Sequence, residues 1–321
     1  MPAAGTQCVA SDRWGCLAAG VRSVHQEIEP EMTDARSKPQ LPQTDREAAG
    51  EYPPQLYHTA ETVAPIPAPT RLVQAHVEQF QQLGFLSLEA VFTAQEVAAA
   101  RAGLADLVMG RVSGFDGIQF EAWAAAQLEQ LDLAQREVAV RKLMHFTDHE
   151  SRLNAMAHHP ALLALIEPLL GGRTPHLFQD MALLKPPQGR EKPWHQDKAY
   201  FDIDVDEHVV GVWIALDDAS VENGCMHLIP ASHRDGPVVH FRRRDWQICD
   251  SDILGRRIVA TPLAPGGVLL FDGLLHHGTP ANHTAQRRRA LQFHYCAVDA
   301  RWIDTASRLE HFGSEGKDVT C

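Results

Sequence analysis

The 321-residue chain has no apolar run of the length that spans a bilayer, so a membrane-spanning helix is not expected. It has no stripe of lysine and arginine. With a formal net charge of -12, and with the triplet Arg287-Arg288-Arg289 too short to track a phosphate backbone, a nucleic-acid groove is not expected either. Its six cysteines (Cys8, Cys16, Cys225, Cys249, Cys296, Cys321) form no CxxC and no regular framework, which fits a reducing compartment and assigns none of them to a metal. The opening "MPAAGTQCVASDRWGCLAAGVRS" has neither the charged n-region nor the continuous h-region of a signal peptide, and "DVTC" is no peroxisomal address. These features point to a soluble, intracellular, cytoplasmic protein that acts on a small molecule, with no nucleic-acid or membrane partner. No motif specifies an oligomeric state.

What the chain does have is 45% hydrophobic content, enough for a full-sized core and one catalytic domain. Residues 1–70 are rich in Pro, Glu, Gln, Ala and Thr, with little apolar periodicity in "KPQLPQTDREAAGEYPPQ" or "APIPAPT", and read as a disordered or loosely attached leader. Met32 is an alternative start. Residues 71–321 then read as a single domain. From Arg71 a helical period breaks at Gly84, passes through a short strand and resumes in a second helix, with Thr93 and Glu96 spaced as a capping box. Helical pattern continues in "EAWAAAQLEQLDLAQREVAV" and in "ESRLNAMAHHPALLALIEPLLGG". From His176 the pattern becomes short β-rich runs between Pro and Gly: "HLFQDMALLK", "AYFDIDV", "VVGVWIALDD", "MHLIPAS", "GGVLLFDG" and "RALQFHYCAV". Such spacing is that of a sandwich or barrel, here with helices in front of it.

The stretch "PWHQDKAYF" places His195 and Asp197 two residues apart, on one face if the segment is a strand that continues through Ala199, Phe201, Ile203 and Val205. A lone His-x-Asp is more often a hydrogen-bonded pair than a metal site. The second copy, His233-Arg234-Asp235, lies between Pro230 and Gly236 in turn chemistry and reads as a loop. The first copy gains weight from "LLFDGLLHHGTPANHTAQRRRALQFHY", where His276-His277 offer a third ligand and arginines enter the next strand. Two imidazoles and one carboxylate on one face of a metal leave three positions open, the arrangement of mononuclear non-haem Fe(II) oxygenases. An arginine then has a role: the far carboxylate of a dicarboxylate co-substrate such as 2-oxoglutarate needs a bidentate guanidinium. Strand parity groups Arg288 with Ala290, Gln292 and His294, without choosing which face is inward.

The segments "LLKPPQG…WHQD", "GVWIALDDASVENGCMHLIPASH" and "HHGTPANHTAQRRRALQFHY" together resemble the phytanoyl-CoA dioxygenase family of Fe(II)/2-oxoglutarate oxygenases, over residues from about 77 to 300. The resemblance implies an α+β fold, a double-stranded β-helix (a jelly-roll, cupin-like barrel) flanked by N-terminal helices. By position it implies His195, Asp197 and His277 as iron ligands, His277 being the histidine directly before Gly278-Thr279, with His276 its competitor. It also implies Arg288 as the co-substrate arginine, and Trp213, Thr279, Met181 and Lys142 as further lining of the 2-oxoglutarate pocket. Gln179 is a further candidate for the same cavity. Ordinary core packing is the alternative for Trp213 and Met181, and a solvated charge run for Arg287 and Arg289. The implied activity is a dioxygenase that uses O2 and 2-oxoglutarate to hydroxylate a small metabolite or acyl-CoA-type substrate, with release of succinate and CO2. Halogenases of this kind replace the carboxylate ligand with a small residue, so Asp197 favours hydroxylation. The rival readings are a Zn or Mn hydrolase or isomerase on the same ligands, and a non-catalytic jelly-roll binding module. Substrate choice is expected in the loops "EKPW", "DVDEH" and "HFRRRDWQICDSDILGRR", where Arg242-Arg243-Arg244 read either as an exposed basic loop or as a contact for an anionic substrate such as a CoA phosphate.

Overall fold

Local chemistry starts and stops the helices. In a computed structural model, which describes residues 43–44, 51–121, 124, 127–128 and 130–313, α1 (Gln74–Leu83) ends at Gly84, whose φ of 84° suits a residue without Cβ. The capping box that opens α2 (Ala94–Val108) is present: the Thr93 hydroxyl accepts from the Glu96 amide at 3.3 Å, and the Glu96 carboxylate accepts from the Thr93 amide at 2.8 Å. Among the described residues of the long helical pattern from Glu121, the α-helix is α3 (Leu133–Ala139), where Asp132 caps with Gln135. The next pattern divides into α4 (Ser151–Ala157) and α5 (Pro160–Ile166). Pro160 cannot donate to a continuing helix and restricts His159 before it, so the helix restarts at the proline. Two short helices lie later, α6 (Asp250–Ile253) and α7 (Thr305–Phe312). Among the described residues no helix is long and apolar enough to cross a membrane.

The strands are β1 (Gln43–Thr44), β2 (Ile66–Pro67), β3 (Phe85–Glu89), β4 (Ile118–Phe120), β5 (Val140–Met144), β6 (Pro175–Lys185), β7 (Lys192–His195) and β8 (Val210–Ala215). They continue as β9 (Met226–Leu228), β10 (His240–Arg242), β11 (Trp246–Ile248), β12 (Val259–Thr261), β13 (Val268–Asp272), β14 (His277–Thr279) and β15 (Arg288–Ala297). The major sheet runs β1-β4-β5-β6-β15-β8-β13-β3-β2, the minor sheet β12-β9-β14-β7, and β10 pairs with β11. This is the expected α+β jelly-roll architecture. The outward face of the major sheet, with Ala182, Leu184, Val212, Ile214, Leu270, Leu291 and Phe293, is buried against α2, α4 and α5 in one apolar cluster. Its inward face is a different surface, with Gln292 and His294 touching Asp197.

Three expectations are corrected. Ordered structure reaches well before Arg71: the Trp194 indole donates to the Leu56 carbonyl at 3.0 Å, Tyr57 stacks on Trp194, the Val63 amide donates to Ala260, and β2 pairs with β3. Residues 51–70 therefore strap the domain, while residues 1–42 and 45–50 of the expected leader lie outside the described residues. The segment "AYFDIDV" is not a strand. After His195 the chain curls into a 3-10 turn over Asp197–Tyr200, because the buried Lys198 ammonium gathers carbonyls of the following loop, Val205 at 2.6 Å and Glu207. Last, β10 and β11 lie in the stretch "HFRRRDWQICDSDILGRR" that reads as a loop.

Candidate metal centre and co-substrate pocket

His195 ends β7 and His277 begins β14, and these strands pair in register at those two residues, so backbone hydrogen bonding alone brings the rings to 4.2 Å between centroids. Asp197 reaches the same point from the 3-10 turn, not by strand alternation. One ligand atom from each of His195, Asp197 and His277 lies within 4.8 Å of the others, and all three residues are buried. Each imidazole is fixed by its own chain: His195 Nδ1–H donates to the Pro193 carbonyl at 2.7 Å and His277 Nδ1–H to the Leu275 carbonyl at 2.8 Å. With Nδ1 so used, each Nε2 presents its lone pair to the carboxylate, at 3.1 Å from Asp197 Oδ1 for His195 and 3.5 Å from Oδ2 for His277. Burial, with His277 nearby, pushes the His195 imidazole down to about 4, so it is neutral at pH 7. Burial alone would push the Asp197 carboxyl up. The facing imidazoles of His277, His294 and His195 outweigh burial and hold it well below the usual carboxylate range. Three acceptors converging in a dry site fit a cation between them.

His276 is not in this group. Its backbone joins Ser232 and Ile229, and neither of its ring nitrogens has a hydrogen-bond partner among the described residues.

The register of the major sheet assigns the remaining residues. Met181, Gln292 and Trp213 stand opposite one another on β6, β15 and β8, and Lys142 on β5 stands opposite Leu183, which is opposite Ala290. All of these share the inward face with Arg288 and with Gln179, which stands opposite His294. Gly211 is needed here, since a Cβ there would lie 2.3 Å from the Phe271 ring that packs 4.9 Å from His277.

The three arginines separate cleanly. Arg287 pairs with Glu137, and Arg289 makes a two-pronged bond to Asp217 at 2.8 and 2.9 Å; both are half-buried ion pairs, not a solvated run. Arg288 is 1% exposed, its Nε and Nη1 have no partner among the described residues, and its guanidinium lies 5.2 Å from the centre of the Trp213 ring. Burial pushes it down to about 10. A buried, unpaired guanidinium is costly unless an anion joins it. The basic run at Arg242-Arg243-Arg244 has no such character. Arg244 is buried in bonds to Glu191 and Asp250, while Arg242 and Arg243 are exposed, Arg243 3.3 Å from Asp250.

Three residues of the site went unrecognised. Asp197 Oδ2 accepts from Gln292 Nε2 at 2.9 Å and from His294 Nε2 at 2.7 Å, with His294 enclosed by Phe178, Phe201 and Phe271. Both share strand parity with Arg288, which was the available signal. Lys185, opposite Arg288 on β6, is buried and bonded to Thr279 and Pro280; its parity with Met181 was the signal.

A family model described as phytanoyl-CoA dioxygenase (PhyH) matches residues 80–290. The phytanoyl-CoA dioxygenase domain-containing protein 1 of Mus musculus is 27% identical over 261 residues, covering 70% of this chain and 89% of the mouse protein. Among solved structures, EvdO2 from Micromonospora carbonacea var. aurantiaca, crystallised with 2-oxoglutarate, is 26% identical with a TM-score of 0.55, covering 76% of this chain and 99% of its own. The epimerase SnoN from nogalamycin biosynthesis, crystallised with Fe3+ and alpha-ketoglutarate, is similar in fold, at 21% identity and a TM-score of 0.58 over 78% of this chain and 94% of its own. With two-thirds of its length matched by the family model, and with the jelly-roll and its His/Asp/His group in place, the chain belongs to the phytanoyl-CoA dioxygenase family.

Proposed function

We propose that the protein is an Fe(II)- and 2-oxoglutarate-dependent oxygenase that hydroxylates an unactivated C–H bond of a small metabolite or acyl-CoA-type substrate, releasing succinate and CO2. The observation that carries this reading is a buried His/Asp/His ligand set whose Asp197 is held by Gln292 and His294, on the same inward face as the buried, unpaired Arg288. His195, Asp197 and His277 are the ligands, and Arg288, with Trp213, Thr279, Met181 and Lys142, receives the co-substrate. Arg288 stands four residue steps along β15 from Gln292, which touches Asp197, about 13 Å of rise. The arginine side chain folds back over Trp213 and shortens that span toward the length of a short dicarboxylate. Alanines 215 and 290, opposite each other between the two levels, leave room for it. Iron, O2 and the keto acid together supply the oxidising power when bound. The chain supplies the rest: Gln292 and His294 hold the Asp197 carboxylate in place through Oδ2, and the apolar wall of Phe271 and Trp213 excludes water.

The test is anaerobic reconstitution with Fe(II) followed by 2-oxoglutarate. The expected result is a visible metal-to-ligand charge-transfer band, then slow uncoupled succinate formation on admitting O2, with both lost in Asp197→Ala. A reconstituted, folded protein that shows neither band nor succinate would sink the assignment. Succinate release across candidate substrates then identifies the one that accelerates it, and the product decides hydroxylation against another oxidative outcome.

A further inference from the structure

The buried lysine next to the arginine has no part in the function just described, and its geometry is specific. Lys185 ends β6 directly opposite Arg288 in the dry interior, where burial, with the Arg288 charge beside it, pushes its ammonium well below the usual lysine range and three acceptors hold its protons. Lys185 Nζ donates to Thr279 Oγ1 at 2.8 Å, to the Thr279 carbonyl at 3.3 Å and to the Pro280 carbonyl. An ammonium has three protons, and all three are used, so none is left for a ligand.

The consequence falls on Thr279. Its hydroxyl oxygen is occupied as an acceptor by a cation, which turns its own proton away from Lys185. That proton has no other acceptor among the described residues. Thr279 is 4% exposed, stands two residues after His277, and is joined through Lys185 to the position opposite Arg288, whose Nε and Nη1 are unpaired among the described residues.

Resting on the oxygenase reading above, we propose that Lys185 is a positioning residue for the far carboxylate of 2-oxoglutarate: it holds the Thr279 hydroxyl as a donor toward that carboxylate and adds a second positive charge behind Arg288. The arriving anion relieves the mutual repulsion of the two cations, so the pocket favours a dianionic keto acid over a monoanionic one of the same length. A mere staple for the turn at Pro280 would give no such discrimination.

The experiment measures dissociation constants of 2-oxoglutarate and of 2-oxopentanoate, which lacks the far carboxylate, on the Mn(II)-loaded full chain by calorimetry. Lys185→Met is expected to weaken 2-oxoglutarate about 10- to 100-fold, the range of a lost hydrogen bond to a charged group. It should leave 2-oxopentanoate and Mn(II) affinity within a factor of about two. Thr279→Val should reproduce part of that loss, and the double variant should fall short of the product of the two single effects. Should Lys185→Met not fold, Lys185→Arg, which keeps the charge and not the three-way geometry, is expected to show a smaller loss of the same selectivity. Unchanged 2-oxoglutarate affinity in the variants, equal loss for both keto acids, or fully multiplicative effects would overturn the role of Lys185. Failure of the wild-type protein to bind 2-oxoglutarate would instead overturn the oxygenase reading, and the role of Lys185 with it.

Discussion

The two faces of the major sheet are made by the same strands and differ in almost everything else. Outward, Ala182, Ile214, Leu291 and Phe293 meet the helices with no polar atom to satisfy. Inward, their immediate neighbours Met181, Trp213, Arg288, Gln292 and His294 include several buried polar groups, some unpaired. The strand period of two puts these populations one residue apart. One face holds the fold together, and the other carries chemistry at a cost in stability.

Substitutions on alternate residues can break or sharpen that contrast. The largest effect on folding is expected from Leu291→Ala on the outward face, a loss of about 2–5 kcal/mol in denaturant unfolding. Its Mn(II) affinity should stay at the wild-type level; a matching loss of metal binding would mean that the faces are not independent.

Next comes His227, buried on β9 with Nε2 unpaired and pushed down to about 4 by burial. It is neutral when folded, and the unfolded chain takes up its proton near 6.5. Its contribution is therefore complete above pH 6.5 and is lost as pH falls toward 4, by roughly 3 kcal/mol. His227→Phe should flatten the fall in stability of the metal-free protein across that window, and an unchanged slope would assign the acid sensitivity to other groups.

The smallest effect has the opposite sign. Arg288→Met replaces a buried unpaired cation and should raise stability without co-substrate by about 1–4 kcal/mol, while 2-oxoglutarate binding is lost. A fall in melting temperature instead would show Arg288 to be part of the packing.

Much of this was legible because it rests on local patterns. The capping box at Thr93 and Glu96, the stop at Gly84, and the period of β6, β8, β13 and β15 are contained in a few adjacent residues. The pair His195 and Asp197 was also found, though for a partly mistaken reason: they meet through a turn held by Lys198, whose carbonyl partners lie on a loop up to nine residues away. The strap over residues 51–63 was missed because its composition is that of a loose segment. Its order comes from Trp194, Glu191 and Ala260, more than a hundred residues later.

The choice among the three arginines marks the boundary. Strand parity separates Arg288 from Arg287 and Arg289, and nothing in the chain's local order says which side is inward. That was decided by the partners: Glu137 and Asp217 neutralise the outer two, and among the described residues no acid pairs with the one between them. The sequence by itself determined the residue types, their spacing and their periods, because covalent geometry and short-range hydrogen bonding depend only on neighbours. Tertiary structure alone decided which polar groups find a partner and which stay buried without one, because that depends on what distant segments bring to the same point.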